Sequence, residues 1–142
     1  MAKARPKVFI SAAASDAPRV REIAERLTAA GVDTWNPATM ALPGANVAAD
    51  MGRALERADA IVVLVSPASM KSAWVRREIQ FALGQEKFED RLIPVLIRRT
   101  PSGEIPWILR DLQWAKGDAA QVAKQIVTIL NTRPRDARAK AS

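Results

Sequence analysis

The chain contains no histidine, no cysteine and no tyrosine among its 142 residues. Without cysteine there can be no disulfide, thiolate zinc site or Cys nucleophile. Without histidine, His-based triads and His metal ligands are excluded. Any chemistry must therefore rest on carboxylates, hydroxyls, amides or cations. Aromatic residues make up only 5% of the chain. That is too few for a basic face interleaved with stacking rings, so no nucleic-acid partner is expected. No apolar run approaches the roughly 18 residues of a membrane span, so no membrane partner is expected either. The short basic start, Met1 to Lys7, leads directly into a strand pattern without the cleavage region of a secretory signal. These readings together point to a cytoplasmic protein.

Three nucleotide or phosphate signatures are also missing. No Gly-x-Gly-x-x-Gly follows the first strand pattern, and no Gly-x-x-x-x-Gly-Lys-Ser/Thr is present. A phospho-receiver would need an acidic residue at the end of its central strand. Here that position is Ser66.

What is present suits one soluble domain with a sizeable core: 49% hydrophobic and 26% charged residues. Much of the net charge of +7 lies at the ends, in Lys3, Arg5 and Lys7 and in Arg133, Arg135, Arg138 and Lys140. The chain divides into a basic N-terminal segment (1–6), a domain (7–131) and a basic disordered tail or linker (132–142).

Short apolar runs alternate with helical periodicities. Lys7–Ser11 reads as a buried strand. Asp16 is placed as an N-cap, with Pro18 in the first turn and Val20, Ile23, Ala24 and Leu27 at helical spacing up to Gly31. Val32–Trp35 is a second strand, and Asn36–Asn46 a long loop of the kind that carries function. Val47, Met51, Leu55 and Ala58 mark the next helix, and Ala60–Val65 the most apolar, central strand. Ser66–Lys71 reads as a loop. Ser72 caps a helix whose stripe is Val75, Ile79, Ala82 and Leu83 and which runs to about Lys87. Arg91–Ile97 is a fourth strand, with Pro94 suggesting an edge or a bulge. A short helix is expected at Trp107–Arg110 and a fifth strand at Leu112–Trp114. Asp118 with Gln121 makes a capping box for the last helix, with its stripe at Val122, Ile126, Val127, Ile129 and Leu130.

This order implies a flavodoxin-like, doubly wound, five-stranded parallel sheet with helices on both faces. Such folds bind ligands at the carboxyl ends of their strands. The loops after Ser11, Trp35 and Val65 therefore converge on one rim. The rim offers one carboxylate, several hydroxyls and an aromatic. Trp74 and Glu78 are i and i+4, on a helix face offset from the core stripe, so Glu78 borders the crevice. The bland alternative is a solvated helix glutamate flanked by Arg76 and Arg77.

The assembled pattern resembles the TIR (Toll/interleukin receptor) domain, in its bacterial NAD-cleaving type. Val8-Phe9-Ile10-Ser11 before a small loop and Asp16 is similar to the family's first box. Gly31–Trp35 followed by Leu42-Pro43-Gly44 resembles its second strand and mobile loop. Ala60–Pro67 followed by Ser72–Glu78 is the most specific match. Ile93–Leu96 and Leu112–Trp114 fit its fourth and fifth strands, so the resemblance covers about residues 7–130.

The resemblance implies a NAD glycohydrolase, or cyclase, that cleaves the nicotinamide–ribose bond of NAD as a self-associated assembly. It implies no cofactor, NAD itself being the substrate, and no metal. Glu78 maps onto the family's catalytic glutamate. Ser11, Ala12, Trp35, Ser66, Ser69 and Trp74 are assigned to substrate binding, Trp74 by packing near Glu78. Trp35 or Phe9 would form an aromatic wall, with Phe9 better read as core. Pro37, Met40, Leu42, Pro43, Gly44 and Asn46 are assigned to a gating or interface loop. Partners are other copies of the domain or other TIR domains, in the cytoplasm or in a host cytosol for a virulence factor. The alternative is a non-enzymatic TIR–TIR scaffold. The chain departs from the family at Ala12, Ala13 and Ala14, where Tyr or His and polar residues are common. It departs again at Asn36 and Pro37, where an acidic residue often stands.

Overall fold

The computed structural model describes residues 5–37 and 46–132. Among them, four parallel strands form one sheet: β1 (Lys7–Ser11), β2 (Asp33–Trp35), β3 (Ala60–Val65) and β4 (Leu92–Leu96), in the order β2-β1-β3-β4. The helices are α1 (Ala17–Ala29), α2 (Val47–Arg57), α3 (Pro67–Met70), α4 (Ala73–Leu83), α5 (Trp107–Arg110) and α6 (Ala119–Asn131).

β3 is central because all six of its residues are apolar and none can face water without loss. Each is buried to 0% exposure. Its side chains alternate between two cores. Val62 and Leu64 meet Val20, Ile23 and Leu27 of α1 and Val122 and Ile126 of α6. Ile61, Val63 and Val65 meet Met51 and Leu55 of α2 and Val75, Ile79 and Ala82 of α4. Fully burying a side chain of this size contributes about 1.5–3 kcal/mol, so this strand anchors both layers. Helices on both faces of a parallel sheet match the expectation from sequence.

The expected fifth strand does not form. Only Ala115 bridges to Val95, its N–H donating to the Pro94 carbonyl at 3.0 Å. The next residue, Lys116, is taken by the α6 side chain Gln125, which accepts from its N–H at 3.0 Å and donates to its C=O at 2.5 Å. Pro94 is an edge proline, as expected: its carbonyl faces outward to Ala115, so no inner ladder bond needs the missing N–H.

Local signals held where they act within one turn. Ser72 accepts from the Val75 N–H, and Asp118 and Gln121 form both bonds of a capping box. Gly31 closes α1 at φ 88°, and Gly117 precedes the capping box at φ 113°, where a Cβ would lie 2.2 Å from the Gln121 amide oxygen. Two local expectations failed. Ser66–Lys71 contains the short helix α3, started by a reciprocal capping box between Ser66 and Ser69 with Pro67 in its first turn. The helix expected to reach Lys87 stops at Leu83, where Gly84 caps it, and Glu86–Phe88 forms a separate 3-10 turn.

Candidate active site

The strand order reverses between β1 and β3, so the crevice at a topological switch point lies at their carboxyl ends. Ser11 is the last residue of β1 and pairs in register with Val63. It stands two residues after Phe9, which belongs to the core beneath α2 and α4. The strand alternation therefore turns the Ser11 hydroxyl toward α4. Ser66 follows β3, and Glu78 lies on α4.

Glu78 is 2% exposed, and its neighbours in the buried stripe of α4 are Val75, Ile79 and Ala82. The carboxylate is therefore part of the inward stripe and not on a face offset from it. Leu83, expected inside, is 44% exposed instead. The stripe is centred one position nearer Glu78 than the apolar residues alone suggest. Oε2 of Glu78 and Oγ of Ser11 are both buried and without a hydrogen-bond partner. Burial pushes the Glu78 carboxyl up to about 7, and the nearby Ser11 hydroxyl holds it back. Ser11 thus lies close enough to favour the ionised carboxylate, yet the two groups are not aligned as a hydrogen bond. An unpartnered carboxylate oxygen in a dry site is costly, which is why its proton is retained to higher pH.

The other assigned residues separate into groups. Ser66 and Ser69 are fully buried and committed to each other: the Ser69 N–H donates to Ser66 Oγ at 3.0 Å, and the Ser66 N–H to Ser69 Oγ at 2.9 Å. Ser66 Oγ also donates to Asp16 at 2.5 Å. Neither hydroxyl is presented to a ligand in this structure. Trp35 is half-buried and stacks on Phe9 with ring centroids 5.3 Å apart. Phe9 is wholly buried, in keeping with its reading as core. Ala12 is half-buried and packs on the opposite core, beneath α1. Trp74 is 47% exposed, with the Arg77 guanidinium 5.3 Å from its ring. It faces outward, because one step around the helix from Glu78 carries it off the buried stripe. Asn46 caps α2, accepting from the Ala49 N–H at 3.2 Å, and Pro37 is half-buried. Met40, Leu42, Pro43 and Gly44 lie outside the described residues.

One connection had no local signal. Asp16 makes no capping bond to α1. Its buried carboxylate accepts from Ser66 Oγ and, at 3.2 Å, from Nε of Arg98. It thereby joins the segments that follow β1, β3 and β4. Asn36 likewise is not a simple loss of acidity: its side-chain amide donates to the Ile10 carbonyl at 2.6 Å and supports the end of β1. A groove lined by Ile10, Val20, Ala24, Thr34 and Asn36 opens beside α1, on the face away from Glu78.

A metal centre finds no support among the described residues, where no cluster of three or more Asp or Glu side chains is placed to hold an ion. No helix among them is long and apolar enough to cross a membrane.

The sequence model of the TIR domain matches residues 8–128. The fold is similar to the TIR domain of the Toll-related receptor TRR-2 from Hydra magnipapillata, with TM-score 0.68 and 23% identity over 92% of this chain and 97% of that one. It is similar to a metazoan TIR-STING receptor from C. gigas, with TM-score 0.72 and 23% identity over 88% of this chain and 39% of that one. A prokaryotic SEFIR domain matches with TM-score 0.67 and 17% identity, over 92% and 95% of the two chains. No curated protein matches the chain. The TIR family includes NAD-cleaving enzymes and scaffold modules, and its domains associate with themselves or with other TIR domains. The extent of the family match and the parallel sheet beneath it lead to one conclusion: this chain belongs to the TIR domain family.

Proposed function

We propose that this TIR domain is of the NAD-cleaving type and breaks the nicotinamide–ribose bond, releasing ADP-ribose in linear or cyclic form, with Glu78 as the catalytic residue. The observation that carries the reading is a carboxylate, 2% exposed and with Oε2 unpartnered, at the carboxyl ends of β1 and β3.

One carboxylate is enough for this substrate. A common glycosidase pairs an acid for the leaving oxygen with a second carboxylate. In NAD the leaving group departs from a pyridinium cation as neutral nicotinamide, so no general acid is required. Charge develops on the ribose as an oxocarbenium-like cation. A carboxylate in a low-dielectric site stabilises that charge far more than one in water. Ionised Glu78, holding the ribose hydroxyls beside the anomeric carbon, supplies both orientation and charge. No cofactor enters the reaction, because NAD is the substrate.

Glu78 is closed off in this structure, so ribose reaches it only after its surroundings open. Self-association, with the loop from Pro37 through Met40, Leu42, Pro43 and Gly44 to Asn46 acting as gate or interface, supplies the opening. Trp35 is the candidate wall for the nicotinamide ring, being half-exposed and braced by Phe9. We place this activity in the cytosol, the protein's own or a host's, with further TIR domains as partners.

The same closure favours a second reading, a scaffold whose glutamate is only a buried remnant. Chromatography of NAD incubated with concentrated protein separates the two. Nicotinamide release by the wild type and its loss in Glu78→Ala are expected. Absence of release from folded wild type sinks the enzyme reading for the isolated chain, and undiminished release from Glu78→Ala sinks the role of Glu78.

A further inference from the structure

Two buried polar atoms without partners lie near one another at the β1–α4 boundary: Ser11 Oγ, in a residue of 0% exposure, and Glu78 Oε2. Buried hydroxyls and carboxylates are almost always satisfied, so a matched pair of orphans is a feature to be explained. Ser11 is wholly enclosed in this structure, at 0% exposure against 2% for Glu78. Its position at the end of β1 is fixed by pairing with Val63, and its neighbours on that face, Phe9 and Val63, are apolar. A valine or alanine would fill that place without an orphan. A hydroxyl there is placed to donate to the nearby carboxylate.

Resting on the NAD-cleaving reading, we infer that Ser11 is a positioning residue for Glu78: its hydroxyl donates to the carboxylate when Glu78 ionises, holding the reactive rotamer, and it is not a substrate contact. No other bond holds the Ser11 hydroxyl, so it is free to turn toward the carboxylate. On ionisation the charge-assisted bond forms and offsets part of the desolvation cost.

The surroundings leave Ser11 as the principal polar influence. β3 presents Val63 and Val65, α2 presents Met51 and Leu55, and α3 presents Met70. The charged side chains on the packed elements point outward: Arg53, Glu56 and Arg57 on α2, and Arg76 and Arg77 on α4, are exposed, and Asp50 is half-buried and paired with Arg53. Lys71 after α3 is exposed as well. Burial and Ser11 are the two causes acting on the Glu78 carboxyl.

The test is a carboxyl-carbon NMR titration of the full chain labelled with 13C-glutamate, with the Glu78 signal assigned by its loss in Glu78→Gln. In wild type the Glu78 midpoint is expected near 7. Ser11→Ala should raise it by about half a unit or more, since a bond to the charged form is lost. Ser11→Thr, which keeps the donor, should restore most of the wild-type midpoint and guards against a variant that fails to fold. An unchanged midpoint in folded Ser11→Ala overturns the positioning role. The titration needs no substrate, so it stands or falls separately from NAD cleavage. Where wild type releases nicotinamide, the acidic limb of its pH profile should move upward in Ser11→Ala with the midpoint, and a fixed limb with reduced rate also overturns the inference.

Discussion

The Asp16 carboxylate accepts the Ser66 hydroxyl at 2.5 Å, tying together residues 50 positions apart. Ser66 also caps α3, so this one contact links the start of α1 to the start of α3, the short helix before the one that carries Glu78. Asp16→Ala removes the buried acceptor and strands the hydroxyl. A loss of about 2–3 kcal/mol is expected in urea denaturation. Arg98→Ala should cost under about 1 kcal/mol, because the arginine side chain is 63% exposed and water replaces it. Equal losses in the two variants would show that the ion pair, and not the Ser66 bond, holds the rim.

Glu78 makes stability depend on pH with a definite sign. Its folded carboxyl is raised from 4.5 to about 7, so between those values the folded state holds the proton more tightly than the unfolded state. Stability then falls as pH rises through that window and levels off above it. The full effect is roughly 3 kcal/mol. Glu78→Gln cannot ionise and escapes it. The melting temperature of Glu78→Gln relative to wild type should be near level at pH 5 and higher by about 5–10 °C at pH 8. A difference that does not grow with pH means that Glu78 is solvated.

Trp74 offers a contrast on the same helix. Its ring is half-exposed beneath Arg77, not packed as a brace for the carboxylate. Trp74→Ala should therefore cost less than about 1 kcal/mol. It should leave the Glu78 midpoint in place. A midpoint that moves with this variant would restore Trp74 to the site.

At the sheet edge, Gln125 holds both backbone groups of Lys116. Gln125→Ala should cost about 1 kcal/mol. Amide hydrogen exchange should quicken at Lys116 while β1 and β3 keep their protection. Slower exchange across Leu112–Trp114 would mean that the freed backbone extends the ladder into a fifth strand.

The position of the rim was legible, but the orientation of its side chains was not. Glu78, Ser11 and Ser66 fall on the carboxyl rim as the strand and helix pattern implies. Their directions do not follow from that pattern. Apolar residues alone put the stripe of α4 on Val75, Ile79 and Leu83, because a glutamate is not counted as a buried residue. The protein buries Glu78 and exposes Leu83. Ser66 and Ser69 read equally as ligand-facing hydroxyls or as turn residues, and here each bonds the other's backbone, a use that their spacing of three residues signals.

The sequence by itself determined the alternation of strands and helices, the dominance of Ala60–Val65, the caps at Ser72 and Asp118, and the helix end at Gly31. These depend on apolar period and on bonds that close within one turn, so the information lies in a few neighbouring residues. Tertiary structure alone decided that Asp16 binds Ser66 and Arg98 instead of capping α1, that the sheet stops at a single bridge at Ala115 in place of a fifth strand, and that Ser11 and Glu78 lie near one another without a bond. Each of those rests on partners brought together from distant parts of the chain, where the cost of a buried polar group is settled by whatever the fold places opposite it.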